Sequence, residues 1–375
     1  MATFADSDSQ RYANKAILAP MVRVGTLPMR MLALKYGADL VYTPEIIDKR
    51  IINATRRVNP ETGIIEYITN GVTDLQIHPK EKPFLVFQMG TSDPEIALQA
   101  ALAVQQDVSG IDVNCGCPKK FSIQGGMGAA LLTNPARLKA ILETLVAHCS
   151  VPVTCKIRLL DTDPDTLDLV RMIESTGVKA LAVHCRTRDE RPAQPAHWDR
   201  LKPIVDAVTT IPVIVNGDVF RYEDIARAKE ITGASSVMIA RGAQSNPSVF
   251  CSQGPANSHL VAQQYVAIAL AIHNRFQNTK YTLMQMYPYT KSKEYQLLTR
   301  AKTNEALKVI FDLDEPFSVT VDQLRFCTVK DICRDAADHA MVKPDHAPQP
   351  KPARPRSPAE PSNVGPPTKQ AKVAI

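Results

Sequence analysis

The sequence contains no uncharged apolar run of about 18 residues, the length that a membrane-spanning helix needs. Its opening segment, MATFADSDSQRYANK, is polar and acidic and holds no apolar stretch of the secretory type. The eight cysteines include no C-x-x-C pair and no zinc-type spacing with histidine. These absences predict a soluble intracellular protein with reduced thiols and no metal site, in the cytoplasm, with the nucleus as the alternative.

The chain also carries little net charge outside its last 35 residues. The total is +6, of which residues 341–375 contribute +4 and residues 1–340 only +2. Binding to a polyanion would therefore have to come from local clusters rather than from overall charge. The candidate clusters are Lys49, Arg50, Arg56 and Arg57; Lys119 and Lys120; and Lys291, Lys293, Arg300 and Lys302.

One repeated unit dominates the chain: an apolar β-rich run, a loop, and an amphipathic helix. Eight such runs occur, at 15–21, 39–45, 84–90, 110–116, 151–159, 180–186, 211–218 and 235–241. Near-continuous apolar runs are typical of parallel strands that are covered on both faces. Eight units predict an α/β fold of the (β/α)8 TIM-barrel type over residues 14–254. An open doubly wound sheet is the alternative, but the G-x-G-x-x-G turn expected after its first strand is missing.

The remaining segments predict a division into further parts. Residues 1–13 form an N-terminal extension, and residues 46–82 form an elaboration between the second and third units. Residues 255–340 have helical patterns only and predict a small helical domain. Residues 341–375 hold nine of the 28 prolines and almost no large apolar side chains, which predicts a disordered tail.

Polar residues stand at the carboxyl ends of successive predicted strands, where barrel enzymes place their chemistry. Amides such as Gln88 and Asn114 could bind the carbonyl and N–H groups of a flat ring, and Lys156 could stabilise a ring that becomes anionic on reduction. The turns at 216–218 and 240–242 offer backbone N–H groups where barrels commonly hold phosphate. This inventory fits flavin mononucleotide (FMN) and does not fit a Rossmann-bound NAD.

The motifs at these strand ends resemble those of the dihydrouridine synthase family. They are APM (19–21), QMG (88–90), NCGCPKKFSIQGGMGAALL (114–132), K-x-R (156–158), HCRTR (184–188), NGD (216–218) and ARGAQSNP (240–247). The resemblance extends over residues 14–330 and is closest to the branch that acts on position 20 of the tRNA D-loop. It implies FMN-dependent reduction of a tRNA uridine to 5,6-dihydrouridine, with NADPH or NADH as the reductant.

The resemblance also implies roles for individual residues. Cys117 is expected to give a proton to C5 of the uracil while hydride reaches C6. The expected cofactor-binding residues are Pro20, Met21, Val22, Gln88, Lys156, His184, Asn216, Gly217, Asp218, Ala240 and Arg241. The expected substrate-binding residues are Glu45, Asn114, Arg158, Arg186 and Arg188. Cys115, next to Cys117, is expected to be an apolar packing residue.

Two other functions stay open on the sequence alone. The chain could be an FMN barrel that acts on a small molecule such as a free dihydropyrimidine, or an RNA-binding protein without catalysis. The expected partner is tRNA, whose target base must leave the helix stack to reach a barrel mouth. We expect a monomer without a stable protein partner and without a membrane contact.

Overall fold

The computed structural model describes residues 6–313, and its strands are short. In chain order they are β1 (Ala16–Leu18), β2 (Leu40–Tyr42), β3 (Ile46–Ile47), β4 (Thr55–Val58), β5 (Ile65–Thr69), β6 (Val72–Ile77), β7 (Leu85–Gly90), β8 (Gly110–Cys115), β9 (Val153–Arg158), β10 (Leu181–His184), β11 (Val213–Asn216) and β12 (Ser236–Ile239).

Helices follow most of the strands. They are α1 (Ser7–Gln10), α2 (Leu27–Lys35), α3 (Asp48–Ile52), α4 (Pro94–Val104), α5 (Lys120–Gln124), α6 (Pro135–His148), α7 (Asp163–Ser175), α8 (Lys202–Ala207), α9 (Glu223–Thr232), α10 (Arg241–Ser245), α11 (Ser258–Ala271), α12 (Phe276–Met286), α13 (Lys293–Arg300) and α14 (Asn304–Ile310). Asp93 and Asn134 accept backbone N–H groups at the starts of α4 and α6, each before a proline at the first helical position, as the sequence indicates.

Eight parallel strands close into a barrel, which confirms the predicted fold. The order is β2–β1–β12–β11–β10–β9–β8–β7, and β7 pairs back with β2. Each barrel strand lies inside one of the eight predicted apolar runs. Tyr12, from the segment before β1, is completely buried within the barrel, and a side chain at Gly110 would come within 2.3 Å of its hydroxyl.

The elaboration at 46–82 contains a three-stranded antiparallel sheet, β4–β5–β6. A buried ion pair connects it to the barrel. Arg30 of α2 donates to both carboxylate oxygens of Glu81 at 3.0 and 2.8 Å, and to the carbonyl of Gln76 at 2.6 Å. Because both side chains are almost fully buried, losing either partner would leave an uncompensated charge in the core.

The helices that follow the barrel pack against its rim. α11 contacts α2, and α12 contacts α10. Asn278 of α12 donates to the carbonyl of Arg23 at 2.6 Å and accepts from the hydroxyl of Thr26 at 3.0 Å, so α12 supports the loop after β1. The 14–254 and 255–340 boundaries stay predictions, and the proposed tail, 341–375, lies outside the described residues. Within 6–313, no helix has both the length and the apolarity to cross a bilayer.

Candidate active site

The sheet register brings the predicted site residues together at one end of the barrel. Asn114 of β8 pairs with Lys156 of β9, and His184 of β10 pairs with both Arg158 of β9 and Asn216 of β11. Gln88 lies at the same end of the neighbouring strand β7. Parallel strands that end at one level therefore place amide, ammonium and imidazole groups around one opening.

Cys117 lies on a turn directly after β8, and two side chains fix that turn. Asn114 Oδ1 accepts the backbone N–H groups of Gly116 at 2.9 Å and Cys117 at 3.0 Å. Arg158 Nε donates to the carbonyl of Gly116 at 2.7 Å. On the far side Gly128 has a φ of +59°, and a side chain there would approach the Cys117 Cβ to 2.9 Å, so only glycine fits. The glycine-rich segment after the cysteine thus closes around it.

The surroundings of Cys117 keep its thiol protonated. Burial raises its pKa above the usual value, and the carboxylate of Glu45 raises it further, while contacts with the Lys119 backbone and Ser122 act in the opposite direction. Burial also raises the pKa of Glu45. Glu45 Oε1 is enclosed and has no hydrogen-bond partner among residues 6–313. A thiol held in this way at neutral pH can act as a proton donor.

Lys156 is a cation without a hydrogen bond or ion pair in the described part of the chain. Burial, together with the neighbouring charge of Arg158, lowers the pKa of its ammonium to about 8, although the charge of Asp112 opposes the shift. A half-buried ammonium without a partner is costly unless a ligand supplies the missing negative charge or electron density. This is the observation in the structure that best fits a bound flavin ring.

His184 is neutral in this environment. Burial lowers its pKa to about 2, helped by the charges of Lys156, Arg158, Arg186 and Arg241. Arg186 Nη1 lies 3.3 Å from His184 Nε2. Because a guanidinium can only donate, Nε2 must be the unprotonated nitrogen, and Nδ1–H is left as the donor. His184 can therefore donate one hydrogen bond to a ligand, as the predicted cofactor role requires.

Arg186 and Arg241 converge on Asp218. Arg186 is 2% exposed and donates to Asp218 at 2.6 and 2.7 Å and to the carbonyl of Gln194 at 2.6 and 2.8 Å. Arg241 donates to the same carboxylate and lies over the Phe220 ring. The geometry gives little support to the predicted substrate contact of Arg186, because its guanidinium is already bound to Asp218 and Gln194.

The two loops predicted to hold the phosphate pack against each other. Asn216 donates to the carbonyl of Met238 at 2.8 Å, and Trp198 donates to the carbonyl of Gly217 at 2.9 Å. Gly217 has a φ of +127°, and a side chain at Gly242 would meet the carbonyl of Val219 at 2.7 Å. Ala240 directly precedes α10 at this junction. The shape of these two loops therefore depends on Gly217 and Gly242. Their role in binding phosphate stays a prediction.

The other predicted contacts lie around the rim. Pro20 is half-buried, Met21 is buried and Val22 is 60% exposed, so only part of this segment faces solvent. Arg188 is exposed and pairs with Asp189 at 3.1 Å. Cys115 is buried with its sulfur 3.6 Å from that of Cys155, consistent with its predicted packing role.

The basic clusters separate into paired and unpaired groups. Three arginines of the elaboration form ion pairs, Arg50 with Asp74 at 2.7 Å, Arg56 with Asp107 at 2.6 Å and Arg57 with Glu66 at 2.9 Å. Within residues 6–313, the other members are exposed and form no ion pair: Lys49, Lys119, Lys120, Lys291, Lys293, Arg300 and Lys302. The exposed group is the better candidate for phosphate contacts.

Asp112 is a site residue that the sequence interpretation missed. It is completely buried in β8, and its carboxylate accepts from Thr154 Oγ1 at 2.7 Å and from Gln88 Nε2 at 2.8 Å. The available signal was one carboxylate inside the otherwise apolar run GIDV. A buried charge within a strand requires partners, and those partners are Gln88 and Thr154 on neighbouring strands.

Comparison with known proteins gives consistent matches. The family model described as "Dihydrouridine synthase (Dus)" matches residues 17–315. The chain is 46% identical over 316 residues to the tRNA-dihydrouridine(20) synthase [NAD(P)+] of Schizosaccharomyces pombe, covering 81% of this chain and 66% of that relative. It is 39% identical over 336 residues to the protein of the same name from Saccharomyces cerevisiae, covering 83% of this chain and 87% of the relative. A tRNA-dihydrouridine(20a/20b) synthase [NAD(P)+]-like protein of Mus musculus is 35% identical over 237 residues, or 62% of this chain and 68% of the relative.

Proposed function

Because the chain belongs to the dihydrouridine synthase family, we propose that it reduces a uridine of tRNA to 5,6-dihydrouridine with FMN as its cofactor. The names of the yeast relatives support position 20 as the target and NADPH or NADH as the reductant. The observation that carries the proposal is a protonated thiol, Cys117, fixed at a barrel mouth that also holds Lys156, a cation without a partner among residues 6–313. We further propose that the chain acts as a monomer in the cytoplasm.

The residues around the mouth are suited to hold FMN. Lys156 would supply positive charge to the ring, and His184 would donate from Nδ1. Gln88, predicted to contact the ring, has its amide bound to Asp112 and Asn114 and would act through those two residues. The loops at 216–218 and 240–241 would bind the phosphate, and the segment 20–22 would cover the cofactor. When bound and reduced, FMN supplies the hydride that C6 of the uracil receives.

Cys117 would complete the reduction by protonation. As C6 gains hydride, the electron pair of the C5=C6 bond moves toward C5 and the C4 carbonyl. The S–H bond of Cys117 breaks, a C5–H bond forms, and the thiolate then takes a proton from water. Since the pKa of Cys117 is raised, the thiolate is a strong enough base to recover its proton readily.

The rim residues would bind and orient the nucleotide. Asn114, Glu45 and Arg188 would contact the uridine or nearby phosphates, and Arg158 would act mainly by holding the Cys117 turn. The uracil must be flipped out of folded tRNA to reach this opening. The exposed lysines of α5 and α13 and their flanking residues would then contact the tRNA backbone.

The decisive experiment compares Cys117→Ala with Cys149→Ala, a half-buried cysteine after α6 that lies outside the site. Both proteins should retain FMN and oxidise NADPH. Cys117→Ala should lose about 100-fold or more of dihydrouridine formation in unmodified tRNA, measured by nucleoside mass spectrometry, whereas Cys149→Ala should retain it. Full activity of Cys117→Ala would refute the acid assignment.

The same assay separates the other two functions. If the protein reduced free uracil or uridine as fast as it reduces tRNA, it would be a small-molecule reductase. Tight tRNA binding by a flavin-free protein that forms no dihydrouridine when FMN and NADPH are added would indicate an RNA-binding protein without catalysis.

A further inference from the structure

The geometry points to Asp112 as a positioning residue that determines, through two amide side chains, the shape of the turn carrying Cys117. This inference rests on the proposed function for its catalytic meaning. The effect of Asp112 on the turn itself involves only residues of this chain, and it can be tested without flavin or tRNA.

A continuous chain of hydrogen bonds leads from Asp112 to the turn. Gln88 Nε2 donates to Asp112 Oδ2 at 2.8 Å, and Gln88 Oε1 accepts from Asn114 Nδ2 at 3.1 Å. Asn114 Oδ1 then accepts from the backbone N–H groups of Gly116 and Cys117 at 2.9 and 3.0 Å. Gln88 is 1% exposed, so water cannot readily replace these partners.

The direction of this chain follows from chemistry. An ionised carboxylate can only accept, so Gln88 must turn its NH2 group toward Asp112 and its oxygen toward Asn114. Asn114 must then turn its own NH2 group toward Gln88 and its oxygen toward the turn. Only that oxygen can accept the two backbone N–H groups. If Gln88 were reversed, its NH2 group would face that of Asn114 and its oxygen would face the Asp112 carboxylate. If Asn114 were reversed, its NH2 group would face the N–H groups of Gly116 and Cys117, which would lose their acceptor.

An ionised carboxylate at position 112 lowers the stability of the fold, and an apolar side chain would serve packing alone better. Burial raises its pKa to about 6, although hydrogen bonds from Thr154 and Gln88 and the charge of Lys156 oppose the shift. Its folded pKa therefore lies above the ordinary value of 3.8, and its ionisation reduces stability progressively as the pH rises from about 4 to about 6. Proteins keep destabilising side chains mainly at functional sites, so the presence of Asp112 agrees with a role in positioning the Cys117 turn.

Two variants of Asp112 separate its acceptor role from its charge. In Asp112→Asn, the side-chain oxygen can still accept from Gln88 while the new NH2 group donates to the Thr154 hydroxyl, which can also accept. We expect a turnover number within about threefold of wild type, since the chain of hydrogen bonds is kept. Asp112→Val removes the acceptor, and we expect kcat with tRNA to fall about 10- to 100-fold, as for a misplaced catalytic group.

Hydrogen exchange shows whether the turn itself responds. In Asp112→Val, the N–H groups of Gly116 and Cys117 should exchange at least tenfold faster than in wild type. In Asp112→Asn and in the control Thr154→Val, which keeps the Gln88 contact, they should remain protected. Unchanged exchange and kcat in Asp112→Val, or equal losses in Asp112→Asn and Asp112→Val, would overturn the inference.

A measurement on the wild-type chain covers the case in which Asp112→Val does not fold. Neutron diffraction should show deuterons on Gln88 Nε2 facing Asp112 and on Asn114 Nδ2 facing Gln88. Either amide in the reverse orientation would overturn the inference. Because neither diffraction nor exchange uses tRNA, a failure of the proposed reaction would leave these results interpretable.

Discussion

Arg158 Nε donates a 2.7 Å hydrogen bond to the carbonyl oxygen of Gly116, the residue before Cys117. The same guanidinium donates from Nη1 to the carbonyl of Thr187 at 3.0 Å. One side chain of β9 therefore connects the turn after β8 to the loop after β10. Burial and the charges of Arg191 and Arg186 lower its pKa to about 10, so it remains a cation at neutral pH.

We expect Arg158→Lys to impair turnover more than folding. A lysine ammonium is a single point donor and cannot span two carbonyls as the planar guanidinium does. The turnover number with tRNA should fall about tenfold, while bound FMN stays stoichiometric. Steady-state kinetics and the flavin absorbance ratio measure these effects, and Arg171→Lys, an exposed position on α7, serves as the control. Equal kinetics in the two variants would argue against this role of Arg158.

Glu45→Gln should make Cys117 more reactive. The carboxylate of Glu45 adds to burial in raising the pKa of the thiol, so a neutral amide should lower that pKa. The thiolate would then form at lower pH, and alkylation of Cys117 by iodoacetamide would begin at lower pH than in wild type. Peptide mass spectrometry across a pH series measures this shift, with the exposed Glu230→Gln as the control. A pH dependence identical to wild type would mean that Glu45 does not act on the thiol.

Lys156→Met should stabilise the flavin-free protein and weaken FMN binding. The lowering of the Lys156 pKa from 10.5 to about 8 corresponds to about 3 kcal/mol of penalty for the charged form. That penalty is fully present below about pH 8 and disappears as the pH rises toward 10.5, because the unfolded chain then loses its proton as well.

Chemical denaturation at pH 7 and at pH 10 tests this difference. The variant should gain up to about 3 kcal/mol in free energy of unfolding at pH 7 and much less at pH 10. Fluorescence titration should show weaker FMN binding. The exposed Lys139→Met should change neither quantity, and a destabilised Lys156→Met at pH 7 would contradict the expectation.

The basic residues should divide into stabilising and tRNA-binding groups. Arg56 donates to both oxygens of the buried Asp107 at 2.6 and 3.0 Å, so Arg56→Ala should lower the free energy of unfolding by about 1–3 kcal/mol with little effect on the KM for tRNA. The double variant Lys291→Ala/Lys293→Ala should raise that KM, reduce the salt dependence of binding and leave stability unchanged. Denaturation and tRNA-binding titrations at several salt concentrations measure both, and the reverse pattern would refute this division.

The sequence predicted the barrel because its evidence is local. Each β/α unit has its own apolar run and helix start, such as Asp93-Pro94 before α4, and the eight strands lie within the predicted runs. The apolar runs also show where each strand ends, and parallel strands end on the same side of a barrel. The positions of Cys117, Lys156 and His184 in the chain were therefore enough to assign them to one opening. The antiparallel sheet at 55–77 was expected only as an elaboration, although Asn70 and Gly71, both with positive φ, form the two-residue turn typical of a hairpin between β5 and β6.

Sequence alone determined most of the residues that stand at the mouth, because the end of each apolar run and the order of the runs are properties of the chain itself. Only the tertiary structure decided how those residues are used: Asp112 orients Gln88, Arg186 is occupied by Asp218, and Arg56 neutralises Asp107. Each of these pairs joins residues from different units of the chain. Whether a charge is free or neutralised depends on the partner that folding brings within hydrogen-bonding distance, and no local pattern records that partner.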